Sequence, residues 1–239
     1  MENKSYKMDN EVISTPILEE DTDKDIHGKK LLSGWEKKLS KSRGKYYYFN
    51  EEKKKTQWDI PSIIDVIDEN WKYGIFIVPL NIGQNMATFI QNPYPWGELH
   101  ISCTEFQRME KEQIQDCIDQ INRIGNQTIH SLSIQKNSGR HPGARTNLIL
   151  NVEHDRDEET LKLLSEFSKV KTEQRATLMY GVPELFDLDK ESDALEEMQN
   201  VEWEVTFVAR LDNTDTELKT RRLILFGPTL GIREYIRDI

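Results

Sequence analysis

Residues 29–61 constrain this chain more than any other stretch. Within thirty-three positions they hold ten Lys or Arg against four acids, a net charge of +6, together with Trp35, Tyr46, Tyr47, Tyr48, Phe49 and Trp58. The segment from Gly34 to Pro61 predicts three short antiparallel strands. The first runs from Trp35 to Leu39; a polar loop with Gly44 leads to an aromatic strand from Lys45 to Asn50, and a second charged turn leads to a short third strand ending at Trp58. So small a sheet has little interior, and an aromatic clasp between its ends is needed to hold it.

The flanking regions carry the opposite charge. Residues 1–28 have three lysines, eight acids and no hydrophobic periodicity, and read as a disordered acidic tail. That tail contributes −5, so with a total of −10 the remainder from residue 62 onward holds −11. Three electrostatic regimes predict a tail (1–28), a small module (29–62), a linker (63–70) and a larger domain (71–239). The overall acidity argues against bulk binding to a phosphate backbone. No apolar run approaches the ~20 residues that cross a bilayer, and the first thirty residues lack a signal-peptide core. The expectation is a protein of the nucleus or cytoplasm with no membrane partner. Cys103 and Cys117 form neither a disulfide framework nor a zinc-ligand pattern, and no metal or cofactor is expected.

The small module resembles a WW domain: its two tryptophans stand twenty-three positions apart, and a proline follows the second by three. The resemblance implies that Trp35, Tyr48 and Pro61 pack together on one face, that Asn50 is structural, and that Tyr47 and Trp58 form a groove for a proline ring. A polyproline II ligand suits such a groove because it is already extended and loses little entropy on binding. The run Trp35-Glu36-Lys37-Lys38-Leu39-Ser40-Lys41-Ser42-Arg43-Gly44, ending in Tyr47-Tyr48-Phe49-Asn50, further resembles the phospho-Ser/Thr-Pro-binding subtype of the phosphorylation-directed peptidyl-prolyl isomerases. That likeness implies a phosphate held by Ser40 and Lys41, with Ser42 and Arg43 beside them, through charge-assisted hydrogen bonds. The subtype's arginine is Lys41 here, so planar bidentate contact is lost at that position and Arg43 is the candidate to compensate. The isomerase domain has no counterpart. The plainer alternative is that the lysines only solubilise the sheet. Thr15-Pro16 in the tail is a candidate phosphosite for folding back into the same groove, although a Thr-Pro step in such a tail also arises by chance.

From Trp71 onward strands and helices alternate. Strands are predicted at Ile75 to Leu80, Glu98 to Cys103, Thr128 to Gln135, Asn147 to Val152, Glu202 to Leu211 and Arg221 to Gly227, and helices at Lys111 to Ile124 and Asp157 to about Val170. No glycine-rich phosphate loop is present, and the fold class is α+β.

The order of elements is similar to the two-lobed two-histidine (2H) phosphoesterase fold, in which each lobe supplies an H-x-T/S motif. His100-Ile101-Ser102 matches the first motif, and Glu204-Val205-Thr206 stands where the second belongs, followed by a Gly231-x-x-x-Tyr235 ending. The resemblance implies His100, Ser102, Glu204 and Thr206 as catalytic candidates, but glutamate replaces the second histidine. An imidazole exchanges protons near neutral pH, whereas a glutamate acts as an acid there only if burial raises its pKa. The first reading is therefore an adaptor whose WW module binds phosphorylated Ser/Thr-Pro segments, such as the tail of RNA polymerase II, and whose larger domain is a degenerate phosphoesterase. The alternative is an active phosphodiesterase acting on RNA or nucleotides with 2′,3′-cyclic or 2′-5′ linkages. His100 also fits as the outward residue of an ordinary strand, and Glu202 with Glu204 as a divalent-metal pair or a plain acidic strand face. His27, His130, His141 and His154 show no pairing that restores the motif.

Overall fold

The computed structural model describes residues 22–28, 31–32, 34–65, 70–89, 99–138, 146–180, 191–213 and 219–238. The chain divides into two compact units, Met1–Ile60 and Pro61–Ile239. Ser14, Thr15 and Pro16 lie outside the described residues.

In the first unit, β1 (Trp35–Ser40), β2 (Lys45–Asn50) and β3 (Lys55–Gln57) form an antiparallel sheet in that order. Its register pairs Trp35 with Asn50 and Ser40 with Lys45, so the β1–β2 connection is the short loop 41–44. That loop closes because the N–H groups of Arg43 and Gly44 both donate to the Ser40 carbonyl, with Gly44 at φ +63°, where a side chain is strained. The end of the expected tail differs from a free segment. The Lys37 N–H donates to the Thr22 carbonyl at 2.7 Å and the Leu31 N–H to the Asp23 carbonyl at 2.7 Å, while Asp25, Leu31 and Leu32 are buried. Leu31 and Leu32 thereby add apolar cover that a thirty-residue sheet lacks on its own. Burial raises the Tyr48 phenol pKa, and the nearby Asp25 carboxylate reinforces the shift.

The second unit is a mixed α and β domain built on an eight-stranded sheet, ordered β11-β10-β9-β4-β5-β8-β7-β6. The strands are β4 (Lys72–Pro79), β5 (Ile101–Ser102), β6 (His130–Ser138), β7 (Thr146–Glu153), β8 (Arg175–Tyr180), β9 (Trp203–Asn213), β10 (Thr220–Gly227) and β11 (Gly231–Asp238). Every neighbouring pair is antiparallel. β4 is central and buried from Tyr73 to Pro79, which is why it reads as a continuous apolar run. The strand expected over Glu98 to Cys103 shrinks to two residues. The chain leaves the ladder at Cys103, whose N–H still donates to the Ile75 carbonyl, and the Thr104 hydroxyl accepts from the Ile75 N–H at 2.9 Å.

Helices α1 (Gln84–Phe89), α2 (Lys111–Ile121), α3 (Glu158–Ser165) and α4 (Glu191–Gln199) complete the unit. α2 buries Ile114, Cys117, Ile118 and Ile121, a single stripe at helical spacing. Burial pushes the Cys117 thiol, and likewise that of Cys103, up to about 12. α3 is shorter than the expected span to Val170. Asp157 caps its start by accepting from the Thr160 N–H at 2.7 Å, and Ser165 closes its end on the Lys162 carbonyl. Behind it, buried His154 bonds Gln127 at 2.9 Å, and burial lowers the His154 pKa.

Candidate functional site

Alternation along β2 sends Tyr48 inward and Tyr47 outward. Trp35 and Tyr48 are buried, as are Asn50 and Pro61, the last at the first position of the second unit. The Asn50 side-chain carbonyl accepts from the Lys53 N–H at 2.9 Å and so fixes the β2–β3 turn. On the outer face Tyr47 and Trp58 meet edge to face, centroids 5.9 Å apart at 63°, and Trp58 stays 45% exposed. Two rings at that angle make an open, rigid notch of apolar surface.

The loop beside this notch is exposed from Lys41 to Gly44. Ser40 Oγ and Ser42 Oγ lie 3.3 Å apart. The Arg43 guanidinium sits 5.0 Å from the centre of the Trp58 ring, so a cation borders the groove itself. Ser40, Lys41, Ser42 and Arg43 are thus together on one loop, as the sequence expects, and Arg43 is the one in contact with a groove residue.

In the second unit, register settles which side chains share a face. Phe76 on β4 lies opposite Ser102 on β5 and opposite Thr206 on β9, while Val78 lies opposite Glu204. His100, two residues before Ser102, points the same way. His100 lies just before β5 and Glu204 on β9, the two strands that flank β4, yet their surroundings differ.

His100 lies flat on Phe76, ring centres 4.1 Å apart at 15°, and borders a pocket of about 330 Å3. Phe106 meets Phe76 edge-on at 5.9 Å, and Ser102 and Thr177 add hydroxyls to the wall. The rest of the lining is mostly charged: Lys171, Glu173 and Arg175 on one side, Arg210 and Arg221 on the other. Arg175 pairs with Glu173 at 2.7 Å. Arg210 and Arg221 both bind Asp212, each with a closest contact of 2.5 Å. Burial alone raises that carboxyl, but hydrogen bonds and charge from the two arginines outweigh it and bring Asp212 down to about 2.

Glu204 is a correction to the site expected from sequence. Its side chain is 2% exposed and does not line the pocket. One carboxylate oxygen accepts the Thr229 N–H at 2.7 Å, the other the Leu230 N–H at 3.2 Å, and Arg233 approaches to 3.8 Å. These bonds tie β9 to the turn between β10 and β11, and a Cβ on Gly227 would lie 2.1 Å from the carboxylate. The carboxylate is a structural anchor, because backbone donors occupy both its oxygens. Thr206 is fully buried and outside the pocket, its hydroxyl without a hydrogen-bond partner among the described residues. Of the four catalytic candidates, His100 and Ser102 are in the pocket and Glu204 and Thr206 are not. The metal-pair reading of Glu202 and Glu204 fares no better, since Glu202 is exposed and accepts from Asn126 at 3.0 Å. No three ligating side chains converge among the described residues.

The sequence reading missed Lys171, Arg175, Thr177, Arg210 and Arg221. A signal existed for Arg210, which shares its strand face with Thr206 and Asp212 by alternation; none existed for Lys171, which precedes β8.

Residues 31–61 match the WW domain family, and this segment is a WW domain, a module that binds proline-rich peptide partners. No curated protein and no solved structure matches the chain. Among the described residues no helix is long and apolar enough to cross a membrane.

Proposed function

We propose that the chain is an adaptor whose WW domain reads phospho-Ser/Thr-Pro segments, with Tyr47 and Trp58 receiving the proline and the 40–43 loop receiving the phosphate. The observation that carries this reading is the placement of the Arg43 guanidinium over Trp58. An exposed cation–π contact is worth only about 0.5–1 kcal/mol, whereas hydrogen bonds to a charged group contribute roughly 1.5–3 kcal/mol. Arg43 can therefore exchange the ring for a phosphate placed next to the bound proline. Phosphorylated proline-directed repeats such as the tail of RNA polymerase II have this chemistry, and a partner of that kind implies a nuclear or cytoplasmic protein. Titration of Trp58 fluorescence with one Ser-Pro peptide, phosphorylated and unmodified, tests it. We expect the phosphorylated form to bind about tenfold tighter or better; equal affinity removes the phosphate from the reading.

For the larger domain the reading is a degenerate relative of the two-histidine phosphoesterases. The strands that carry the two motifs, β5 and β9, flank β4 on either side, as paired motifs would, but Glu204 is turned to the β10–β11 backbone. The His100 imidazole stacks on Phe76 and, among the described residues, shares its pocket with Lys171, Glu173 and three arginines and not with a second histidine. Incubating the protein and His100→Ala with 2′,3′-cyclic nucleotides and 2′-5′-linked oligonucleotides tests this: no turnover is expected in either. Hydrolysis lost in His100→Ala would replace the adaptor with a targeted phosphodiesterase.

A further inference from the structure

The cations around the His100 pocket have no part in either reading above. We propose that they form a second receptor on the chain, for a phosphate monoester carried by a side chain of the protein partner that the WW domain recruits. The proposal rests on recruitment of proline-rich segments, which the WW domain provides, and not on that domain's preference for phosphate.

Charge selects the ligand. Among the described residues the pocket brings together Lys171, Arg175, Arg210 and Arg221 against Glu173 in the wall and Asp212 between two of the arginines, a predominantly positive lining. A phosphorylated side chain carries about −1.5 to −2 at neutral pH and suits that lining. Asp212 holds both arginine planes in place, so these donors are set before any ligand arrives and lose little freedom on binding it. Ser102 and Thr177 supply hydroxyl donors for oxygens that the guanidinium groups leave free.

Size and surroundings select the source of that phosphate. At about 330 Å3 the pocket holds one phosphorylated side chain and not a stretch of polymer. The chain from residue 62 onward carries a net −11, so a polynucleotide leaving the pocket would meet repulsion instead of the basic track that retains nucleic acid. A peptide has no such repeating charge, and the same chain carries a module that recruits peptides.

The test uses the full chain and a phosphoserine peptide without proline, which the WW groove does not select, followed by calorimetry. Lys171 and Arg175 are exposed, so the double variant Lys171→Ala, Arg175→Ala is expected to melt as the wild type does. We expect it to bind the peptide about tenfold more weakly or worse, while Trp58→Ala binds it unchanged. A longer peptide carrying both a proline-rich segment and a separate phosphoserine is expected to bind about a hundredfold tighter than either half, and to lose that gain in either variant. Undiminished binding in the Lys171, Arg175 variant overturns the proposal. So does inorganic phosphate binding as tightly as the peptide, or a nucleoside monophosphate binding about tenfold tighter, which would give the pocket to nucleotides. Failure of the phospho-Ser/Thr-Pro reading registers separately, as equal binding of the two Ser-Pro peptides at the WW groove.

Discussion

In the WW domain the side chains expected to meet a ligand are exposed or half-buried, whereas the larger domain divides its expected residues between an open pocket and a sealed interior. Tyr47, Trp58 and the 40–43 loop stand at the surface of a sheet too small to hide them, and Trp35, Tyr48 and Asn50 are the few it encloses. The eight-stranded sheet has depth enough to bury a carboxylate such as Glu204 and satisfy it with backbone donors. A motif position in a small module therefore translates almost directly into a surface position. In a larger sheet it fixes only a row and a face, and the neighbouring turn decides what the side chain does.

The comparison breaks most sharply at the two tryptophans. Trp35→Ala removes a buried ring worth about 3–5 kcal/mol, more than a sheet of this size can lose, so the first unit is expected to unfold. Near-ultraviolet circular dichroism should show its aromatic signal gone while the larger unit keeps its own melting transition. Trp58→Ala should leave both transitions in place and weaken peptide binding by about 2–4 kcal/mol, measured by calorimetry.

In the larger domain the corresponding test is Gly227. A Cβ there meets the Glu204 carboxylate, so Gly227→Ala is expected to cost about 1–3 kcal/mol in chemical denaturation. Adding Glu204→Ala removes the clash along with the anchor. The double variant should then be less destabilised than the two single losses added together; strict additivity would mean that the carboxylate does not sit against the turn.

A smaller effect follows from His154. Its folded pKa is lowered by burial, so above pH ~6.5 it is neutral whether folded or not. Below that the unfolded chain takes up a proton that the folded one resists, so stability decreases as the pH drops, a slope that His154→Gln should flatten. Asp212 acts lower on the scale: its depressed pKa stabilises the fold above pH ~4, and that contribution fades as the solution approaches pH 2.

The sequence made the first unit legible because everything it needs is local: a loop with Gly44, an aromatic strand, and tryptophans at fixed spacing. The long strands β4, β7, β9 and β10 were also legible as apolar or alternating runs. β8 was not, since, only six residues long, it alternates buried Ala176 and Leu178 with Arg175 and Thr177, too brief a pattern to stand out, and α1 is too short for a clear helical period. Residues 22–28 read as tail because they follow an acidic stretch and carry little apolar surface of their own, although Asp25 is buried. The pocket was half legible: His100 and Ser102 stood in a motif, but Lys171, Arg175 and Arg221 reach it from strands and loops whose adjacency only the sheet order reveals.

The central claim is that this WW domain reads phosphate through Arg43, and a double cycle measures it directly. Wild type and Arg43→Ala are each titrated with the phosphorylated and the unmodified Ser-Pro peptide, in the Lys171→Ala, Arg175→Ala background so that the larger domain's pocket does not contribute. The expected result is a coupling of about 1–2 kcal/mol between the guanidinium and the phosphate. A coupling of zero, with both peptides losing affinity equally, would contradict the account and leave Arg43 as a lid on Trp58 for any proline-rich ligand.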